Sequence, residues 1–183
     1  MRFLIIGDTH VPDRAESIPE WVKDVVESKD YDAILFTGDA TEYSVIHYLE
    51  RHGRTYAVRG NIDAVELPRF RIIDAEGHRI FLFHSTEVRP RGDPDQLLEY
   101  GRTAGADIVV FGHTHRRTAY VHGKVLFVNP GTATGAWGGA TPGEPESIAF
   151  LDLEEKGAMV RILTEGREEI LLPAEWRGGW KYV

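Results

Sequence analysis

Five short apolar runs in this chain each lead, within a few residues, into a side chain that can ligate a metal, and this pattern restricts the fold more than any other feature. They are Ile6-Gly7-Asp8-Thr9-His10, Phe36-Thr37-Gly38-Asp39, Val58-Arg59-Gly60-Asn61, Phe83-His84 and Phe111-Gly112-His113-Thr114-His115. The runs that feed them, Arg2–Ile6, Ala33–Phe36, 56–58, 80–83 and Ile108–Phe111, are rich in Ile, Val and Phe, which predicts buried strands. Helical patterns lie between them. Ser17-Ile18-Pro19-Glu20 reads as a capping box ahead of Val22, Val25 and Val26, residues 43–51 form a second helical stretch, and Asp93 with Pro94 opens a third ahead of Leu97 and Leu98. Strand alternating with helix predicts an α/β fold with a parallel sheet. Ligands of such sheets gather outside the carboxyl ends of the strands, so the five strand-end groups are expected to converge on one site. A single Asp-x-His or His-x-His could merely cap a turn, whereas five together point to one shared site.

The last third is different. Segments 119–121, 125–128, 147–153 and 159–163 read as strands joined by turns at His122-Gly123 and Lys156-Gly157, which predicts antiparallel pairing. Residues 131–145 are rich in Gly, Thr and Pro, with glycines at 131, 135, 139 and 143 and prolines at 142 and 145, and are expected to form a loop. The tail 173–183 carries Trp176 and Trp180 and suits either an anchor folded onto the domain or a contact in a homo-oligomer. His47, His52, His78 and His122 lack the strand-end setting and are expected at the surface.

Composition narrows the chemistry. With 183 residues, 42% hydrophobic and 27% charged, the chain is expected to form one domain over 1–183. It has no cysteine, so thiolate metal sites, disulfides and cysteine nucleophiles are excluded, and a metal must be held by His and carboxylate. The 21 basic and 29 acidic residues give a net charge of −8, which argues against long nucleic acid as a partner. No apolar run is long enough for a membrane span or a secretory core, so a cytoplasmic protein is expected.

The ordered set Gly7-Asp8-Thr9-His10, Gly38-Asp39-Ala40, Gly60-Asn61-Ile62-Asp63, Phe83-His84-Ser85 and Gly112-His113-Thr114-His115 resembles the calcineurin-like metallophosphoesterases. Within them it is most similar to the small single-domain group that includes bacterial and archaeal phosphodiesterases and the retromer scaffold subunit, a likeness strengthened by the stretches at 7–14 and 129–136. The resemblance spans residue 1 to about 163. It implies an α/β fold of two facing mixed β-sheets flanked by helices, an α-β-β-α sandwich, and a centre of two divalent metal ions. By motif position Asp8, His10, Asp39 and His115 would hold one ion and Asp39, Asn61, His84 and His113 the other. Asp39 would bridge, and Asp39 and Asn61 would be the catalytic residues. The activity implied is hydrolysis of small phosphodiesters by attack of a metal-bound hydroxide. The alternative is a phosphoesterase-fold scaffold for protein interactions. In the scaffold's kind of sequence the bridging Asp and the Asn are altered, whereas here Asp39, Asn61 and His10 are all present.

Charge arithmetic agrees with an anionic substrate. Two divalent ions carry four positive charges against two negative ones from Asp8 and Asp39, so about two remain for an anion. The oxygen and nitrogen donors suit Mn²⁺, which is expected first, and also Ni²⁺, Fe²⁺, Co²⁺ or Zn²⁺. Arg59, Arg89, Arg91, Arg116 and Arg117 lie beside the motifs, and Arg59 and Arg116 are the candidates for binding substrate, since guanidinium matches phosphate bidentately. Two positions depart from the family pattern. Ile62 stands where many members carry a His similar to a general acid, and Phe83 precedes the fourth ligand where Gly is common.

Overall fold

Side chains of β1 (Arg2–Ile6) alternate between two apolar environments, and that alternation generates the layering of the molecule. Phe3 and Ile5 enter one buried cluster, while Leu4 and Ile6 enter another on the opposite face. In the computed structural model, which describes residues 1–138 and 143–183, β1 is followed by α1 (Glu20–Ser28), β2 (Ala33–Phe36), α2 (Tyr43–His52), β3 (Thr55–Ala57), β4 (Phe70–Ala75), β5 (His78–Phe83), α3 (Pro94–Thr103) and β6 (Ile108–Phe111). The strands β7 (Thr118–His122), β8 (Val125–Asn129), β9 (Ser147–Glu154), β10 (Gly157–Thr164), β11 (Arg167–Trp176) and β12 (Trp180–Tyr182) complete it.

These strands make two sheets, ordered β12-β11-β10-β9-β1-β2-β3 and β4-β5-β6-β8-β7. Pairing is parallel along β1-β2-β3 and along β5-β6-β8, and antiparallel elsewhere. The expectation of one parallel sheet is therefore corrected: the five ligand-bearing strands are divided between two mixed sheets, because the apolar face of each must be covered and the sheets cover each other. Phe3, Ile5 and Leu35 of the first, with Val58 just beyond β3, share one buried cluster with Ile80, Leu82, Ile108, Val110, Leu126 and Val128 of the second. Outside the first sheet α1 and α2 bury Val22, Val26, Val45, Ile46 and Leu49, and outside the second α3 buries Leu97 and Leu98. This is the α-β-β-α sandwich that the resemblance implied. Among the described residues no helix is long and apolar enough to cross a membrane.

Several local expectations are corrected. The first helix starts at Glu20 with Pro19 at its N-cap and no side-chain capping bond, so Ser17 does not cap it. By contrast Asp93 does cap α3, accepting from the Gln96 backbone N–H at 2.9 Å, with Pro94 in the first turn. Strand β4 was not anticipated. The tail is sheet: β11 pairs along the length of β10, and β12 returns against it. Trp180 is 1% exposed within the core between the sheets and Trp176 packs against that core, so both rings anchor the tail to its own chain. The described part of 131–145 contains no helix or strand; Gly139 and Pro142 lie outside the described residues.

His78, expected at the surface, is buried. Its Nδ1 lies 2.9 Å from Asp107 and its Nε2 3.0 Å from the Glu155 carbonyl, and its ring packs on Trp176 and Trp180. Those partners are remote in sequence. His47 is exposed, while His52 and His122 are partly so.

Candidate metal centre

The carboxyl ends of β1, β2 and β3 meet those of β5 and β6 where the two sheets face each other, and all seven predicted ligands sit at that junction. The crossing is fastened by backbone bonds: the Asp8 N–H donates to Gly38 O at 2.9 Å and the His10 N–H to Asp39 O at 3.0 Å. Glycine is required where the loops touch. A Cβ on Gly60 would lie 1.9 Å from Asp39 Oδ1, and Gly38 has φ +105° with a Cβ position 2.7 Å from His84 Nδ1. Asp8, His10, Asp39, His113 and His115 themselves have positive φ, between 47° and 69°. Non-glycine residues adopt this region at a cost of order 1–3 kcal/mol each when the surroundings over-determine them, and such strain gathers at functional sites.

Six of the seven are buried, and Asn61 is exposed. Donor atoms of Asp8, His10, Asp39 and His115 all lie within 4.8 Å of one another. His10 Nε2 is 3.0 Å from His115 Nε2 and 3.5 Å from Asp39 Oδ2, and His115 Nε2 is 3.4 Å from Asp8 Oδ1. The same Asp39 Oδ2 lies 3.3 Å from His84 Nε2, which is 3.1 Å from Asn61 Oδ1. The His113 ring stands edge-on to that of His84 at 5.0 Å. Phe83 in place of glycine does not divert His84 from the cluster. Two imidazoles are oriented from behind: His84 Nδ1 lies 2.8 Å from the Thr37 carbonyl and His115 Nδ1 2.6 Å from that of Ala136, which leaves each Nε2 facing the site.

The electrostatics are those of carboxylates and imidazoles buried together. Burial pushes the Asp8 carboxyl up to about 6, partly offset by His84 and His115. Burial lowers His10 to about 4 and His113 to about 3, and the Arg91 and Arg89 charges also press on His113. For Asp39 burial acts upward, but the hydrogen bond and charge of His84 with the Ile62 N–H outweigh it and hold the carboxyl well below its usual range. His84 is the counterpart: burial alone would lower it, while Asp39 and Asp8 raise it to about 9. Asp8 Oδ1, His10 Nδ1 and His113 Nε2 are buried without a hydrogen-bond partner. Unpaired buried donors and acceptors cost about 1–3 kcal/mol each, so a convergent set of carboxylate and imidazole donors left partly unsatisfied fits divalent cations of the O/N-preferring kind.

One residue of the site was not singled out from sequence. Asp63 is 4% exposed and accepts backbone N–H bonds from Asp39 at 3.0 Å, Gly60 at 2.7 Å and Thr41 at 2.7 Å, so it ties the second ligand loop to the third. Its adjacency to Gly60-Asn61 was the available signal. Ile62 is half-buried, and its backbone N–H donates to Asp39 Oδ1 at 3.1 Å. Arg59 lines the same cavity as Asn61 and His84, whereas Arg116 lines a separate one with Arg91 and Thr114. Arg117 is occupied by ion pairs to Glu169 and Glu144.

Comparison with known proteins follows the same lines. A family model described as the calcineurin-like phosphoesterase superfamily domain matches residues 1–156. A probable metallophosphoesterase of Methanothermobacter thermautotrophicus is 40% identical over 133 residues, 71% of this chain and 76% of its own. One from Methanocaldococcus jannaschii is 35% identical over 153 residues, 83% of this chain and 76% of its own. Among solved structures, vacuolar protein sorting 29 of Cryptosporidium parvum superimposes with a TM-score of 0.87 at 26% identity, covering 96% of this chain and 97% of that one. Wild-type Vps29 of Entamoeba histolytica, complexed with Zn²⁺, gives 0.86 at 28% identity, covering 97% and 100%.

Proposed function

This chain belongs to the calcineurin-like phosphoesterase superfamily, and from that premise we propose that it is a metal-dependent phosphodiesterase acting on small phosphodiesters. Asp8, His10, Asp39 and His115 would hold one divalent ion, and Asp39, Asn61, His84 and His113 a second, with Mn²⁺ the leading choice and Ni²⁺, Fe²⁺, Co²⁺ or Zn²⁺ chemically admissible. The observation that carries the reading is the buried, partly unsatisfied donor set at the junction of the sheets. When bound, such a pair of ions supplies positive charge for phosphoryl oxygens and acidifies water.

The remaining work falls to the chain itself. Asp39 is fixed between the two donor groups by Asp63 through its backbone and by Ile62 through its carboxylate. Asn61 turns its Oδ1 to His84, which leaves its amide nitrogen to donate to a substrate oxygen at the mouth of the site. Arg59, opening on the same cavity, supplies a fork for the phosphate. Ile62 cannot protonate a leaving group, so esters of acidic alcohols are the favoured substrates.

The test is hydrolysis of bis(4-nitrophenyl) phosphate by protein stripped with a chelator and reloaded with Mn²⁺. Turnover that appears with the metal is expected, and a fully loaded protein without turnover overturns the reading. A second reading, a scaffold that binds proteins, is favoured by the likeness to Vps29 over nearly the whole chain, and that negative result would support it.

A further inference from the structure

The cavity beside Asn61 and His84, of about 610 Å³, has an aromatic wall that phosphate chemistry does not use. Phe70, Phe81, Phe83 and Tyr100 line it as one contiguous series, with ring centroids 5.6 Å apart from Phe70 to Phe81, 4.7 Å from Phe81 to Phe83 and 5.3 Å from Phe83 to Tyr100. Phe81 and Phe83 are buried beneath α3, but Phe70 is 54% exposed and Tyr100 38%. The cause is topological. β4 is an edge strand, paired only with β5, and none of its residues joins the cluster under α3, so Phe70 projects past the covered part of the sheet. Two large rings thus stay open to solvent at the entrance to a site built for anions.

The polar groups of the same cavity are selective. Arg59 is exposed and forms no ion pair among the described residues, so its guanidinium is available to an anion. Arg69 is paired with Glu87, which places hydrogen-bond donors and an acceptor together on the rim. Phosphate-directed groups at one end, open ring faces at the other and a donor-acceptor pair at the edge match a nucleotide better than an aliphatic ester: the faces suit a flat ring and the pair suits its polar edge.

We infer that this cavity is a nucleobase subsite, which makes the substrate a nucleotide diester and Phe70 and Tyr100 residues that determine specificity. The inference rests on the phosphodiesterase reading above. Three substrates that release the same 4-nitrophenol test it on Mn²⁺-loaded protein: the methyl, phenyl and thymidine-5′ esters of 4-nitrophenyl phosphate. Water cleaves the same P–O bond in each, giving 4-nitrophenol and the corresponding monoester, so differences report the retained group alone.

The thymidine ester is expected to exceed the methyl ester in kcat/KM by roughly tenfold, the scale of one base stacked on an aromatic ring, with the phenyl ester between. Phe70→Ala and Tyr100→Ala should each bring the thymidine-to-methyl ratio toward one, mainly through KM. Phe70→Tyr should preserve the ratio, as should Ile72→Ala on the same strand outside the cavity. A wild-type ratio near one, or a ratio indifferent to both alanine variants, overturns the subsite. Equal rates for phenyl and thymidine esters overturn base recognition in favour of any flat ring. If no ester is hydrolysed, the phosphodiesterase reading fails, and calorimetric binding still decides the subsite: Phe70→Ala must weaken thymidine 5′-monophosphate about tenfold while inorganic phosphate is bound as before.

Discussion

Asp8, His10, Asp39 and His115 are each at most 2% exposed and their donor atoms lie within 4.8 Å of one another, whereas across Asp39 the exposed Asn61 meets the cluster through a 3.1 Å contact with His84. The first group stands on the ends of β1, β2 and β6, locked by backbone bonds between the first two loops and by the His113 N–H donating to the Asp8 carboxylate. The second draws Asn61 from the loop after β3, which lines the aromatic cavity, and His84 and His113 from the ends of β5 and β6. One half of the centre is therefore wholly buried, and the other adds the exposed Asn61 to the buried His84 and His113. Asp39 is the only residue assigned to both.

The largest consequence of that division concerns Asp39. Asp39→Asn should lower turnover of an aryl phosphodiester by about three orders of magnitude, since it weakens both halves together, while His47→Ala, on the exposed face of α2, should stay within twofold. Steady-state rates at saturating metal check this, and comparable rates for the two variants would break the comparison.

Asp63 comes next. Asp63→Ala leaves three backbone N–H groups, those of Asp39, Thr41 and Gly60, without their acceptor. A loss of about 3 kcal/mol in unfolding free energy is expected, read by urea titration. The accompanying rate should fall 10- to 100-fold, the usual scale for a residue that orients metal ligands.

The two halves should also separate in pH. In the metal-free protein Asp8, raised to about 6, loses its proton above that pH, and His10, lowered to about 4, is already neutral there, so the buried half is ready for a cation from about pH 6 upward. His84, raised to about 9, keeps its proton below that pH and must release it on loading. Apparent affinity for the second ion should therefore rise about tenfold per pH unit between 6 and 9, with about one proton released as that ion binds. Calorimetry in buffers of different ionisation enthalpy measures the release; uptake of both ions with no proton released at pH 7 would contradict it.

The smallest effect is at Ile62. Ile62→His should speed alkyl diesters by about tenfold or less and leave aryl diesters within twofold, because only a poor leaving group needs a proton. A wild-type rate already independent of leaving-group acidity would mean that another residue supplies that proton.

The convergence of the strand-end side chains was legible in the sequence because each follows a short continuous run of buried β residues. Regions that depend on remote partners were not. β4 was missed because Phe70 and Ile72 are exposed while Ile73 is buried, so its apolar residues do not alternate in the usual sense. β11 opens with Arg167, Glu168 and Glu169 and contains Pro173, both marks of non-strand sequence that an edge-proximal position in the sheet tolerates. His78 looked like a surface residue because Asp107, Trp176 and Trp180 reach it only through the fold. Asp63 carries no signal of its own in the sequence, because two of the backbone N–H groups it accepts from belong to Asp39 and Thr41, more than twenty residues away. In each case the missing information was which backbone groups or rings a side chain would meet.

The central claim is that seven residues from two sheets form one centre for two ions, shared through Asp39. Crystals of the Mn²⁺-loaded protein, measured at a wavelength where manganese scatters anomalously, test it most directly. Two anomalous peaks per chain are predicted, one among Asp8, His10, Asp39 and His115 and one among Asp39, Asn61, His84 and His113. A fully loaded crystal with a single peak, or with peaks away from Asp39, would contradict the account.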